Sequence, residues 1–118
     1  MNQDLLGNSS TPLDAQEVIE LINKKWGVTY EMRILIRSNR IYLQIMWGYL
    51  EQQSFPFKEN DFRENLNETL EVINRLGQAF TVRNWLATVL DKPRVGRALS
   101  LRLRVDERME EFVLGTDQ

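Results

Sequence analysis

Arg33 and Arg37 are an even number of residues apart, as are Arg102 and Arg104, and arginine is well suited to binding chemistry. If the first stretch, around 31–49, forms two strands joined by a turn and the second, around 99–105, forms one strand, alternate side chains of each strand share one side. That side then carries Arg33, Leu35, Arg37, Arg40, Tyr42, Gln44, Met46, Arg102 and Arg104. A guanidinium ion donates hydrogen bonds in a planar fork that matches carboxylate and phosphate groups. The pattern therefore predicts a surface for an anionic partner.

A second basic feature is the connector PRVGRA, from Pro93 to Ala98, with Lys92 just before it. Lys92, Arg94 and Arg97 add positive charge close to the start of the second arginine stretch. Gly96 does not stand in the spacing of a nucleotide-binding phosphate loop, so no such loop is predicted. The connector is a candidate extension of the arginine surface.

Histidine and cysteine are both absent from the sequence. Their absence excludes an imidazole base, a cysteine nucleophile, a disulfide and a thiolate metal site. Among the acids, Glu51 would be a candidate catalytic acid if it were buried, but a polar strand end is the simpler interpretation. Asp61, Glu64 and Glu68 have helical spacing and read as a solvated helix face rather than a metal site. We therefore expect no enzyme, no cofactor and no metal.

The 118 residues fit one domain, and a net charge of −2 with a pI near 5.2 gives no overall bias toward nucleic acid. No run approaches the roughly twenty apolar residues of a membrane span. The first residues lack the features of a secretory signal and read as a polar lead-in over 1–13. We expect a cytoplasmic protein that is a monomer or a weak dimer.

The element that must position the first arginines is a β-hairpin over 31–49. Its turn is predicted at Ser38-Asn39, where asparagine tolerates the left-handed conformation. That turn pairs Arg37 with Arg40, and continuing the register pairs Tyr30 with Trp47. The apolar residues of both strands, from Ile34 to Trp47, then share the side that forms the floor of the core.

Three helices are predicted around the hairpin. Asp14 is a suitable N-cap for a helix over 14–26, which Gly27 ends. A stripe of apolar residues at helical spacing predicts a second helix over 59–76. A third is predicted over 79–91, with Leu90 on its apolar side and Pro93 as its stop. The tryptophans Trp26, Trp47 and Trp85 are interpreted as core or rim anchors.

A third strand is predicted from Leu99 to Val105, where leucine and valine alternate with Ser100, Arg102 and Arg104. The order of elements is α-β-β-α-α-β. We predict an α+β domain over 14–105, in which a three-stranded antiparallel sheet packs on helices in two layers. The third strand could join either edge of the hairpin. Residues 106–118 are predicted to form a helical turn and a tail.

Three interpretations of the arginine side remain open. It could bind an acidic protein partner, or single-stranded RNA by stacking on Tyr42 and pairing phosphates. The arginine stems could also simply cover a solvated sheet. A further structural possibility is that the segment from Val105 to Leu114 folds over this side.

Two segments, RIYLQIMWGYLEQQSFPF (40–57) and DKPRVGRALSLRL (91–103), resemble a known family. These are small single-domain proteins of unknown function from cyanobacteria and from plant and algal plastids. The resemblance extends from about Ala15 to Leu103. It implies a role linked to photosynthesis or plastid gene expression, and it carries over no catalytic residue.

The absence of a transit peptide favours a cyanobacterial source. Taken with the resemblance, the residues lead us to expect a non-enzymatic adaptor or an assembly or maintenance factor. It would use the arginine side, the connector at 92–97 and the LEQQSFP segment to hold a subunit of a thylakoid complex, with a peripheral position at the thylakoid. An RNA-binding module is the alternative.

Overall fold

The computed structural model describes residues 11–104 and confirms the predicted α+β fold. The elements follow one another as α1 (Ala15–Trp26), β1 (Tyr30–Arg37), β2 (Arg40–Tyr49), α2 (Glu59–Arg75), α3 (Ala79–Thr88) and β3 (Leu99–Leu103). The helices cover one face of the antiparallel sheet, called here the inner face. The helical turn and tail predicted for 106–118 and the possible cover by the segment 105–114 lie outside the described residues.

The sheet has the order β1-β2-β3, so the last strand joins the hairpin beside β2. This answers the question that the sequence left open, because β2 becomes the central strand. Ile41, Leu43 and Ile45 of β2 have no exposed surface and form the middle of the core. They face the helices and stand opposite Leu103, Leu101 and Leu99 of β3.

The hairpin register is confirmed from Arg37↔Arg40 to Met32↔Ile45 and then departs from prediction. Tyr30 pairs with Tyr49, and the predicted pairing of Tyr30 with Trp47 is wrong. The cause is a β-bulge, which places extra residues of β2 opposite Glu31. Trp47 is consequently turned out of the core floor and is 39% exposed.

Two further apolar positions differ from the prediction. Ile36, at the turn end of the core floor, is 51% exposed because the helices do not extend over it. The third helix ends at Thr88 instead of residue 91, and Leu90 is 99% exposed instead of lying on its apolar side. Pro93 is fully buried, and the chain leaves the helix four residues before it, since a proline cannot continue the helix.

Two polar contacts join distant parts of the domain. Arg83 of α3 donates from Nε to Glu17 Oε2 (2.6 Å) and from Nη2 to Glu17 Oε1 (2.9 Å) on α1. The hydrogen bonds with Glu17 raise the pKa of Arg83 despite its partial burial. Leu13 is buried and exchanges two hydrogen bonds of 2.9 Å with the Asn74 side chain. Leu13 therefore belongs to the folded domain rather than to the lead-in predicted for 1–13.

Candidate binding surface

The sheet face that the helices leave uncovered, called here the outer face, holds the predicted arginine side in three cross-strand rows. Leu35, Tyr42 and Arg102 form the middle row. Arg33, Gln44 and Ser100 form the next, in which Gln44 Nε2 donates to Ser100 Oγ at 3.0 Å. The sheet thus brings Arg33, Tyr42, Gln44 and Arg102 together, although they are far apart in the chain.

The third row lies at the turn end of the hairpin and consists of arginines. Arg37 stands directly opposite Arg40, and Arg104 follows β3 on the neighbouring side of Arg40. All three side chains are exposed. Like charges placed directly opposite each other on a sheet are destabilising, and an anion bound between them would remove that cost. This row is therefore the part of the outer face with the highest density of positive charge.

The outer face also carries an acid, Glu31, which is not among the residues predicted for the arginine side. Glu31 is two residues before Arg33 on β1 and therefore shares its face. Its carboxylate accepts a hydrogen bond from Arg33 Nη2 at 3.2 Å. Part of the charge of Arg33 is thereby neutralised, and the free positive charge is displaced toward the turn end.

The segment from Lys92 to Arg97, called here the 92–97 loop, is attached to the domain by one buried residue and closed by its own backbone hydrogen bonds. Pro93 is buried, while Arg94 and Arg97 exchange two backbone hydrogen bonds of 3.0 and 2.8 Å. Between them, Gly96 has a φ of +74°, as the third residue of a type II turn requires. Val95 is therefore presented at the tip, 74% exposed, between two arginines.

A groove of about 500 Å³ connects this loop with the outer face. Arg94, Gly96 and Arg97 form one wall, and the bulged part of β2 with Met46 and Trp47 forms another. Glu31 and Gln44 of the outer face complete the lining. Lys92 lies outside this groove and lines two neighbouring ones, of about 410 and 250 Å³, which it shares with Arg94. The predicted site residues therefore form adjoining surfaces rather than one pocket.

Aromatic side chains under the groove were not predicted as part of the site. Trp47 packs edge-to-face on Tyr49 (6.2 Å between ring centroids), Tyr49 on Tyr30 (5.8 Å), and Tyr30 on Trp26 (5.6 Å). Trp26 in turn lines the 410 Å³ groove with Lys25 and Leu90. The residue in the sequence that could have indicated the bulge, and with it the position of Trp47, is Gly48. A glycine inside a strand pattern often marks a bulge.

The LEQQSFP segment has a structural role that accounts for its aromatic and acidic residues. Phe55 contacts Phe57 and Phe62 edge-to-face, and these contacts attach the crossing chain to the core. The Glu51 carboxylate accepts hydrogen bonds from the Thr29 amide (2.8 Å) and the Thr29 hydroxyl (2.7 Å). Partial burial raises the pKa of Glu51, but the Thr29 hydrogen bonds outweigh it, so the pKa lies below its ordinary value.

The acids of α2 lie on the solvent side of the helical layer, away from the outer face. Glu59 is paired with Arg63 at 3.5 Å, and Glu71 with Arg75 at 3.0 Å. Within residues 11–104, no group of three or more histidine, cysteine or acidic residues could hold a metal ion. In the same part of the chain, no helix combines the length and apolarity needed to cross a membrane.

Comparisons with known proteins agree with this architecture. The family model described as Domain of unknown function (DUF3067) matches residues 16–113. The solution NMR structure of the Alr2454 protein from Nostoc sp. strain PCC 7120 is similar, with a TM-score of 0.76 and 35% sequence identity. The match covers 86% of this chain and 97% of that one. No curated protein matches the sequence.

Proposed function

The chain belongs to the DUF3067 family, and from that premise we propose that it is a non-enzymatic adaptor, an assembly or maintenance factor linked to photosynthesis. The proposed link to photosynthesis is supported by the similar protein of Nostoc, a cyanobacterium. The proposed location is the cytoplasm, with peripheral attachment at the thylakoid. The proposed partner is an acidic protein, such as a subunit of a thylakoid complex.

The observation that carries the proposal is the groove between the 92–97 loop and β2. It combines exposed arginines with Trp47 and Met46, and aromatic residues, arginine and methionine are enriched where proteins bind one another. Leu90 and Val95, beside the groove, are apolar and exposed. The positive charge of Arg94 and Arg97 favours a partner with acidic side chains.

Two acids of the domain, Glu51 and Glu17, support a role in binding rather than catalysis. A general acid or base works best when its pKa lies near the working pH, which for a carboxylate requires a raised pKa. The pKa of Glu51 is lowered instead, and its carboxylate is occupied by Thr29. Glu17 is likewise occupied by Arg83. These contacts assign both acids to the structure of the domain.

The first test reverses the charge of the loop. Tagged wild-type protein, Arg94→Glu/Arg97→Glu and Lys58→Glu/Arg75→Glu would each be used to capture partners from a cyanobacterial lysate. The third protein carries the same charge change at the two ends of α2, at the N-cap Lys58 and at Arg75, which are both exposed. We expect the loop variant to lose at least about tenfold of the captured partner, because opposed like charges weaken an interface strongly.

The control variant should capture as much as the wild type. Equal recovery by the wild type and the loop variant would show that the loop is not the site. A loss with both variants would show that only the net charge matters.

A second candidate function is RNA binding, favoured by the position of Tyr42 between Leu35 and Arg102 on the outer face. It predicts binding of mixed single-stranded RNA that weakens steeply with salt and with Tyr42→Ala. Fluorescence anisotropy at low salt checks this directly. An unchanged anisotropy would remove the candidate and leave the protein partner.

A further inference from the structure

Within residues 11–104, β1 is hydrogen-bonded to a neighbouring strand on one side only. Its first part is partly protected, because Phe57 shares a small crevice with Glu31 and Met32. The part from Arg33 to Arg37 continues beyond this crevice. An open strand edge presents unpaired N–H and C=O groups that can pair with another chain.

The hairpin register indicates which backbone groups point outward. In a hairpin closed by a two-residue turn, the flanking residues Arg37 and Arg40 exchange hydrogen bonds, and bonded and non-bonded pairs then alternate. Leu35 and Arg33 are therefore bonded to β2. The N–H and C=O groups of Ile34 and Ile36 are directed away from β2, toward the open edge.

The side chains along this edge alternate in chemistry as well as in direction. On the inner face, Ile34 is half-buried and Ile36 is 51% exposed, so the apolar core ends here without cover. On the outer face, Arg33 and Arg37 flank Leu35. A strand added beside β1 would extend the core with apolar residues at alternate positions and would meet arginines at the positions between them.

The arginines along this edge distinguish between two candidates for the added strand, a second copy of this chain and a segment of another protein. If a second copy paired its β1 symmetrically about Leu35, Arg33 of one copy would stand opposite Arg37 of the other. That arrangement repeats the like-charge cost already present between Arg37 and Arg40. Acidic residues at the same positions would instead form opposite-charge pairs and relieve it.

We propose that the open edge of β1 accepts, as a fourth strand, an extended segment of a partner protein in which acidic and apolar residues alternate. This inference rests on the protein-binding function proposed above and specifies the chemistry and conformation of the partner. Backbone hydrogen bonds to Ile34 and Ile36 supply affinity, and the arginines supply specificity and register. The site is separate from the 92–97 loop, which lies beyond the opposite end of the strands.

The test uses the full isotope-labelled chain and two nine-residue peptides. One alternates glutamate and valine, and the other alternates lysine and valine. We expect the glutamate peptide to bind at least about tenfold more tightly, with shifted and exchange-protected amides at Ile34 and Ile36 in two-dimensional NMR spectra. Arg33→Glu/Arg37→Glu should reverse the preference, which a merely structural role of these arginines would not do.

The loop variant Arg94→Glu/Arg97→Glu separates this inference from the proposed function, and it should bind the glutamate peptide as the wild type does. Equal affinity for both peptides, or no binding of either, overturns the strand inference while the capture result for the loop still stands. Peptide-induced shifts confined to residues 92–97 would also overturn it. So would self-association of the free chain with protection at Ile34 and Ile36, because the occupant would then be a second copy.

Discussion

Replacement of Leu43 by alanine is expected to lower the free energy of unfolding by about 3–4 kcal/mol, a large part of the stability of a domain of this size. Leu43 has no exposed surface, lies in the central strand and stands between Ile34 and Leu101 on the inner face. Alanine at this position would leave a cavity that the neighbouring strands cannot close. Urea denaturation followed by circular dichroism measures the change.

Leu35 is the matched control, because it is a leucine of the same hairpin that faces the other way. It is partly exposed and pairs with Tyr42 on the outer face. We expect Leu35→Ala to cost about 1 kcal/mol or less, since little buried volume is lost. A one-residue slip in the hairpin would exchange the two faces. Comparable costs for the two substitutions would therefore contradict the register.

Replacement of Glu51 by alanine is expected to cost about 1–2 kcal/mol, although the residue is exposed. The cost arises at Thr29, which is buried and would lose the acceptor for both its amide and its hydroxyl. Glutamine keeps one acceptor oxygen but no charge, so Glu51→Gln should cost roughly half as much. Thermal unfolding at neutral pH ranks the three proteins.

The pH dependence of the same contact has a definite sign. The pKa of Glu51 is lower in the folded chain than its ordinary value, so the unfolded chain binds the proton more readily. The stabilisation is therefore complete above the ordinary pKa, near pH 4–5, and is lost as the pH falls through the folded value. The stability difference between wild type and Glu51→Gln should shrink below about pH 4. A difference that stays constant down to pH 3 would mean that Glu51 does not act through its charge.

Much of the fold could be predicted because its determinants are local. Asp14 caps α1 through the Glu17 amide and Gly27 ends it in the left-handed conformation, as the residue types require. The turn at Ser38-Asn39 has positive φ at both residues, which sets the parity of the whole hairpin. The outer-face positions of Arg37, Tyr42 and Arg102 follow from the alternation of side chains along each strand.

The sequence-based predictions are wrong where contacts between residues distant in the chain override the local pattern. Trp47 leaves the core floor because Tyr49 takes its place opposite Tyr30, and this exchange depends on packing against α1 that no strand pattern reveals. Leu90 is exposed because the helix ends at Thr88, before the buried Pro93. The groove of the candidate site is formed at the bulge, so its aromatic members could not be assigned before the bulge was known. The pairing of β3 with β2 rather than with β1 is likewise determined by tertiary packing.

That choice of partner has a kinetic consequence. The pairing of β1 with β2 closes a two-residue turn, whereas the pairing of Ile41 with Leu103 joins strands separated by α2 and α3. Contacts so distant in sequence are slow to form, so we expect the hairpin to be structured in the folding transition state and β3 to dock after it. Destabilising substitutions in β3 should then accelerate unfolding and leave the folding rate nearly unchanged, which stopped-flow measurements on Leu101→Ala can determine. The 92–97 loop, which leads into β3, would be among the last parts of the chain to take shape and among the first to open.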